Sequence, residues 1–75
     1  MPRALVTGAN RGIGLELTRL LAAAGWDVIA ACRHRSIDLD ALGVRVETLD
    51  VTDDESVRSL GERLRGVPLD LLINN

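Results

Sequence analysis

The chain has 75 residues, 47% of them hydrophobic, with nine basic and eleven acidic side chains and a formal net charge of −2. This make-up fits one small globular unit and excludes a disordered tail or an electrostatically driven nucleic-acid binder. No apolar run approaches the ~20 residues of a membrane-spanning helix, so no membrane partner is expected.

All nine basic residues are arginines, a bias typical of GC-rich bacterial genes, and Lys, Tyr and Phe are absent. A single cysteine, Cys32, excludes an internal disulfide; it is expected as a reduced structural thiol, which points to the cytoplasm. Met1-Pro2-Arg3 leads directly into an apolar run, so no signal peptide is expected.

Short apolar runs alternate with helix-period stretches, the pattern of an α/β unit with a parallel sheet and crossover helices. The first strand is predicted from Ala4 to Thr7. A helix follows from Ile13 to Ala24, burying Ile13, Leu17, Leu20, Leu21 and Ala24, turning Glu16, Thr18 and Arg19 to water, and stopping at Gly25. The second strand is predicted from Val28 to Cys32, with Trp26 packed at its entrance.

The next crossover is too short for a full helix, so Ser36 to Leu42 can form only one or two turns. A third strand is predicted from Val44 to Leu49. Thr52-Asp53-Asp54-Glu55 then reads as a capping box opening a helix with Val57, Leu60 and Leu64 buried, ended by Gly66 and Pro68. Its acids complement the helix dipole and need no metal. A fourth strand is predicted from Leu69 to Ile73. Right-handed crossovers give the spatial order 3-2-1-4, with the two longer helices on opposite faces of a doubly wound sheet.

The chemistry concentrates in Thr7-Gly8-Ala9-Asn10-Arg11-Gly12-Ile13-Gly14, between the first strand and the first helix. Gly8 suits a tight turn, Gly12 lets the backbone approach a pyrophosphate, and Gly14 lets helix and strand pack closely. Free N–H groups of the first helical turn would face the anion, the helix dipole favouring its charge. The spacing G-x-x-x-G-x-G lacks the Lys-Ser/Thr ending of a triphosphate P-loop and so favours a dinucleotide; the alternative is an ordinary strand-to-helix turn.

The wording Thr-Gly-x-x-x-Gly-Ile-Gly resembles the cofactor motif of the short-chain dehydrogenase/reductases. Cys32-Arg33 falls where that family's second strand ends, Leu49-Asp50-Val51-Thr52 resembles its adenine-contacting segment, and Leu71 to Asn75 resembles the start of its Asn-Asn-Ala-Gly motif. Ala9 to Glu16 and Cys32-Arg33 look most like the carbonyl-reductase and C-factor-like branch. The resemblance covers the whole chain and implies that residues 1–75 are the N-terminal part of a single NAD(P)-binding Rossmann domain.

It also implies roles. Asn10 would order the turn and the Ile13 N–H would meet the pyrophosphate. Asp50 would accept from the adenine 6-amino group while the Val51 N–H meets a ring nitrogen, although Asp50 could equally form an Asx-turn. Asn74 would lie at the same sheet end. An NAD-binding protein of this kind tends to place an acid after the second strand, where this chain has Cys32-Arg33-His34-Arg35. NADP(H) is therefore expected over NAD(H), with Arg33, assisted by Arg11, on the 2′-phosphate. Solvated loop charges remain the alternative for Arg33 and, more so, for Arg35, and His34 is expected as an exposed loop residue.

Family chemistry moves a hydride between the nicotinamide and a carbonyl or alcohol carbon, using a Tyr, a Lys and a Ser. Tyr and Lys are absent here, and Ser36, Ser56 and Ser59 lie away from the required position. No catalytic residue and no metal ligand is assigned, and the chain is expected to be the start of a reductase acting on a small-molecule carbonyl or alcohol. Two other readings stand beside this one: a non-catalytic nucleotide-binding or signalling module, and an inert truncated product. Substrate and oligomeric state are left open.

Overall fold

The computed structural model describes residues 1–75. Its elements are β1 (Arg3–Thr7), α1 (Gly12–Ala23), β2 (Asp27–Cys32), α2 (Ile37–Asp40), β3 (Arg45–Thr48), α3 (Asp54–Arg63) and β4 (Leu71–Ile73). The strands form one parallel sheet in the order β3-β2-β1-β4, as the crossover rule predicts.

The register sorts the core into two layers. Val6 lies opposite Ala30 and Ile73, and these residues share a face with Val28 and Cys32. That face is covered by Leu15, Leu21 and Ala22 of α1 and by Leu39 of α2, with Trp26 packed against it. On the other face Leu5, Ile29 and Ala31 meet Leu49, Leu60 and Leu64. Covering on both sides explains why β2 reads as an unbroken apolar run.

The buried line of α1 differs from the predicted stripe. Thr18, expected in water, is fully buried, whereas Ile13 is 71% and Leu20 52% exposed. The cause is Gly14: without a Cβ the helix settles onto the first turn of the fold along Gly14 and Thr18, which rotates Ile13, Leu17 and Leu20 onto a flank. The Thr18 hydroxyl donates to the Gly14 carbonyl oxygen at 2.8 Å, so its burial leaves no polar atom unpaired. The helix ends as predicted, Gly25 taking a φ of +91° and the Trp26 N–H reaching the Leu21 carbonyl.

The start of α3 also departs from expectation. Asp53 is the N-cap, accepting from the Glu55 N–H at 3.0 Å, while the Thr52 hydroxyl donates to Asp50 Oδ1 at 2.6 Å. Asp50 captures the threonine, and the helix begins one residue later than a Thr52 cap would set. The Glu55 carboxylate pairs with Arg58 and does not reach back. The C-terminal end of α3 is docked firmly, because Arg63 donates to Glu47 at 2.6 Å and to the Thr48 carbonyl at 3.0 Å. Contact with the sheet runs through Leu60 and Leu64, and Val57, expected inside, is 47% exposed.

In the short crossover, Ser36 caps α2 by accepting from the Leu39 N–H at 3.1 Å. β4 is shorter than predicted because Asp70 is occupied at its entrance, its carboxylate accepting from the Arg3 N–H at 2.8 Å and its own N–H donating to the Arg3 carbonyl.

Candidate nucleotide-binding site

The carboxyl ends of β1, β2 and β4 meet at the switch point, where strand order reverses between β1 and β4. A cleft of about 390 Å³ opens there. Arg11, Arg33, Val51 and Asn74 line it, together with Gly8 and Asn10, and Gly12 and Ile13 line a shallower extension over the start of α1. Eight of the ten predicted site residues thus converge. Gly14 and Asp50 do not line the cleft.

Gly14 acts from beneath. A Cβ there would overlap the Gly8 carbonyl oxygen and come within 2.7 Å of Asn75 Nδ2. Gly12, with a φ of +58°, would direct a Cβ into space holding no protein atom within 4 Å. That opening lies at the N-terminus of α1, where Arg11 is the N-cap residue, makes no side-chain cap, and is followed by no acid in the first turn. By contrast, α3 is capped by Asp53 and carries Asp54 and Glu55. The α1 terminus is therefore the one of the two that keeps its N–H groups and positive dipole end for an external anion.

Thr7 and Asn75 join the two sides of the cleft. The Thr7 hydroxyl accepts from the Asn75 N–H and donates to Asn74 Oδ1, both at 3.1 Å, and Asn75 Nδ2 donates to the Gly8 carbonyl at 3.2 Å. These bonds hold the end of β4 against the glycine turn. Asn75, Cys32, Leu49 and His34 also line the cleft, and sequence reasoning did not assign them to it. The signal was positional: each sits at or just beyond the carboxyl end of a strand. Burial pushes the Cys32 thiol up, in keeping with the expected structural role.

The charges separate sharply. Seven arginines, Arg3, Arg19, Arg35, Arg45, Arg58, Arg63 and Arg65, stand in ion pairs with acids. The remaining two, Arg11 and Arg33, both line the cleft, as does His34, and no carboxylate does. Arg35, whose role was left open, is drawn away by Asp40 at 2.7 Å. Asp50 forms the Asx-turn that was its alternative reading: Oδ1 accepts from the Thr52 N–H at 3.0 Å as well as from the hydroxyl. These two bonds, the hydroxyl first, hold its carboxyl below the usual carboxylate range, with Arg33 and His34 nearby adding to the effect.

A glycine turn into an uncapped helix, at the switch point of a parallel sheet and flanked by unpaired arginines, defines a Rossmann-type nucleotide-binding unit. The chain belongs to the short-chain dehydrogenase family, whose sequence model matches residues 2–75. It is 46% identical over 77 residues to the 1-hydroxy-2-glutathionyl-2-methyl-3-butene dehydrogenase of Rhodococcus sp. (strain AD45), covering 99% of this chain and 34% of that protein. It is 44% identical over 79 residues to the L-xylulose reductase of Bos taurus, covering 97% of this chain and 31% of the relative.

Among solved structures, a Burkholderia multivorans protein of the short-chain dehydrogenase/reductase type with bound NADP superposes with a TM-score of 0.92 at 37% identity, over 99% of this chain and 36% of that one. A carbonyl reductase from Pseudomonas aeruginosa PAO1 gives a TM-score of 0.91 at 32% identity, over 100% and 38%. The chain spans about a third of the length of these relatives.

Proposed function

We propose that this chain forms the NADP(H)-binding portion of an oxidoreductase that transfers a hydride between NADP(H) and a small-molecule carbonyl or alcohol. The observation carrying this reading is that the two arginines without an acidic partner, Arg11 and Arg33, line one cleft beside the glycine turn. When bound, the cofactor supplies the hydride-exchanging nicotinamide.

The chain's own residues bind and orient. The first-turn N–H groups of α1, with Gly12 and Ile13 at the opening, meet the pyrophosphate. Arg33, from the end of β2, offers a planar two-pronged donor to a 2′-phosphate, and Arg11 reaches it from the turn. The Val51 N–H, at the cleft wall, meets the adenine ring, and Asp50, held by Thr52 outside the cleft lining, positions it. Asn74 orders the β4 end.

The placement in the carbonyl-reductase and C-factor-like branch and the cytoplasmic location belong to this proposal. Fluorescence titration of the full-length gene product with NADPH and NADH tests it. Tighter NADPH binding, lost in Arg33→Asp, supports the reading; equal affinities for the two cofactors overturn it.

A further inference from the structure

His34 is adjacent to Arg33 in sequence, lines the same cleft as Arg11 and Arg33, and has no acidic partner within ion-pair distance. We infer that His34 is a specificity-determining residue whose imidazolium form contacts the 2′-phosphate, making the preference for NADP(H) over NAD(H) depend on pH. This inference rests on the proposed function and adds a contact that titrates to two that do not.

The charged groups around His34 come from three segments. Arg11 lies on the β1–α1 turn, Arg33 on its own loop, and Asp50 on the β3–α3 loop, close enough for its carboxyl to respond to both Arg33 and His34. Arg35, also on its loop, is neutralised by Asp40. A 2′-phosphate in the cleft that these residues line adds negative charge there, which favours the imidazolium form of His34.

The sign follows from linkage. A ligand that favours the protonated form binds more tightly as pH falls through the imidazole range, near ~6.5 for a free side chain. The phosphate's own second ionisation, near ~6, sets the lower end of the window. NAD(H), which has no 2′-phosphate, gains nothing. The ratio of NADP+ to NAD+ affinity should therefore rise about 3- to 10-fold between pH 8 and pH 6.5, the difference between a charged and a neutral donor to phosphate.

Calorimetric titration of the full-length gene product with NADP+ and NAD+ at both pH values, in buffers of different ionisation enthalpy, tests this. The expected result is proton uptake on binding NADP+ but not NAD+, removed in His34→Gln, while His34→Arg binds NADP+ tightly at both pH values. A pH-independent affinity ratio, or proton uptake that survives in His34→Gln, overturns the role of His34 while leaving the Arg33 reading intact. If NADP+ is not preferred and Arg33→Asp is neutral, the cofactor reading falls and the inference with it.

Discussion

The Ser36 hydroxyl donates a 2.7 Å hydrogen bond to the Asn10 carbonyl oxygen. Ser36 Oγ in turn accepts from the Leu39 N–H, so one side chain both caps α2 and fastens the glycine turn to the loop that carries Arg33 and His34. Arg11 follows Asn10 directly, so the bond from Ser36 to Asn10, together with that from the Ala9 N–H to the Ala31 carbonyl, ties together the segments that carry the two unpaired arginines.

Ser36→Ala removes the first of these two bonds. Loss of an N-cap costs about 1 kcal/mol, a fall in Tm of about 2–4 °C in a full-length protein of the relatives' size. NADPH affinity should weaken by more than NADH affinity, because only the 2′-phosphate uses both segments. Thermal melts together with cofactor titration check both parts, and a variant that melts earlier with an unchanged NADPH:NADH ratio would separate capping from positioning.

Arg33→Asp places a carboxylate where the phosphate is proposed to sit. A hydrogen bond involving a charged group is worth ~1.5–3 kcal/mol, so the NADPH:NADH affinity ratio should fall by ~10- to 150-fold, to unity or below. Arg35→Ala, which removes a residue already paired with Asp40, should leave the ratio unchanged.

Gly14→Ala is expected to destabilise the fold by about 3 kcal/mol, because the group that a Cβ meets is the Gly8 backbone, which cannot turn aside. Gly25→Ala should be milder, since a Cβ there meets nothing and only the left-handed backbone angle resists. Denaturant melts of the two variants side by side give the comparison.

Glu47 joins β3 to α3, accepting from Arg45 at 2.9 Å and from Arg63 at 2.6 Å. The Arg45 hydrogen bond first, and then Arg63, hold its carboxyl below the usual carboxylate range. A depressed folded-state value means that the stabilisation is present above the unfolded value, near ~4.3, and is lost as pH falls through the folded one. Glu47→Gln should therefore melt a few degrees below the parent at pH 7, with the gap closing at acid pH. A gap that persists unchanged at pH 3 would contradict the assignment.

The 75-residue polypeptide by itself leaves Ile13, Leu20 and Leu72 more than half exposed and one edge of β4 unpaired. It should self-associate and show no carbonyl-dependent NADPH oxidation. Size-exclusion chromatography and a reductase assay on the purified polypeptide test this; a sharply melting monomer would show that the exposed edge is tolerated.

Local chemistry made most of the fold legible from the sequence. Apolar runs separated by helix-period stretches define parallel strands and crossovers, and the order expected for them with right-handed crossovers and a helix on each face, 3-2-1-4, is the one observed. The glycine turn, the arginine after β2 and the Gly25 cap each depend on backbone rules that operate within a few residues, so their positions follow from the letters alone.

Tertiary packing decided what periodicity could not. Which flank of α1 is buried depends on how closely Gly14 lets it approach Gly8, a contact across the strand-to-helix turn that brings Thr18 inside in place of Ile13. The start of α3 was settled by a competition: Asp50 takes the Thr52 hydroxyl, leaving Asp53 to cap. The basic character of the cleft emerged in the same way. Position along the chain singled out Arg33 and Arg11, and the fold, by pairing the other seven arginines with acids, leaves those two free to meet an anion.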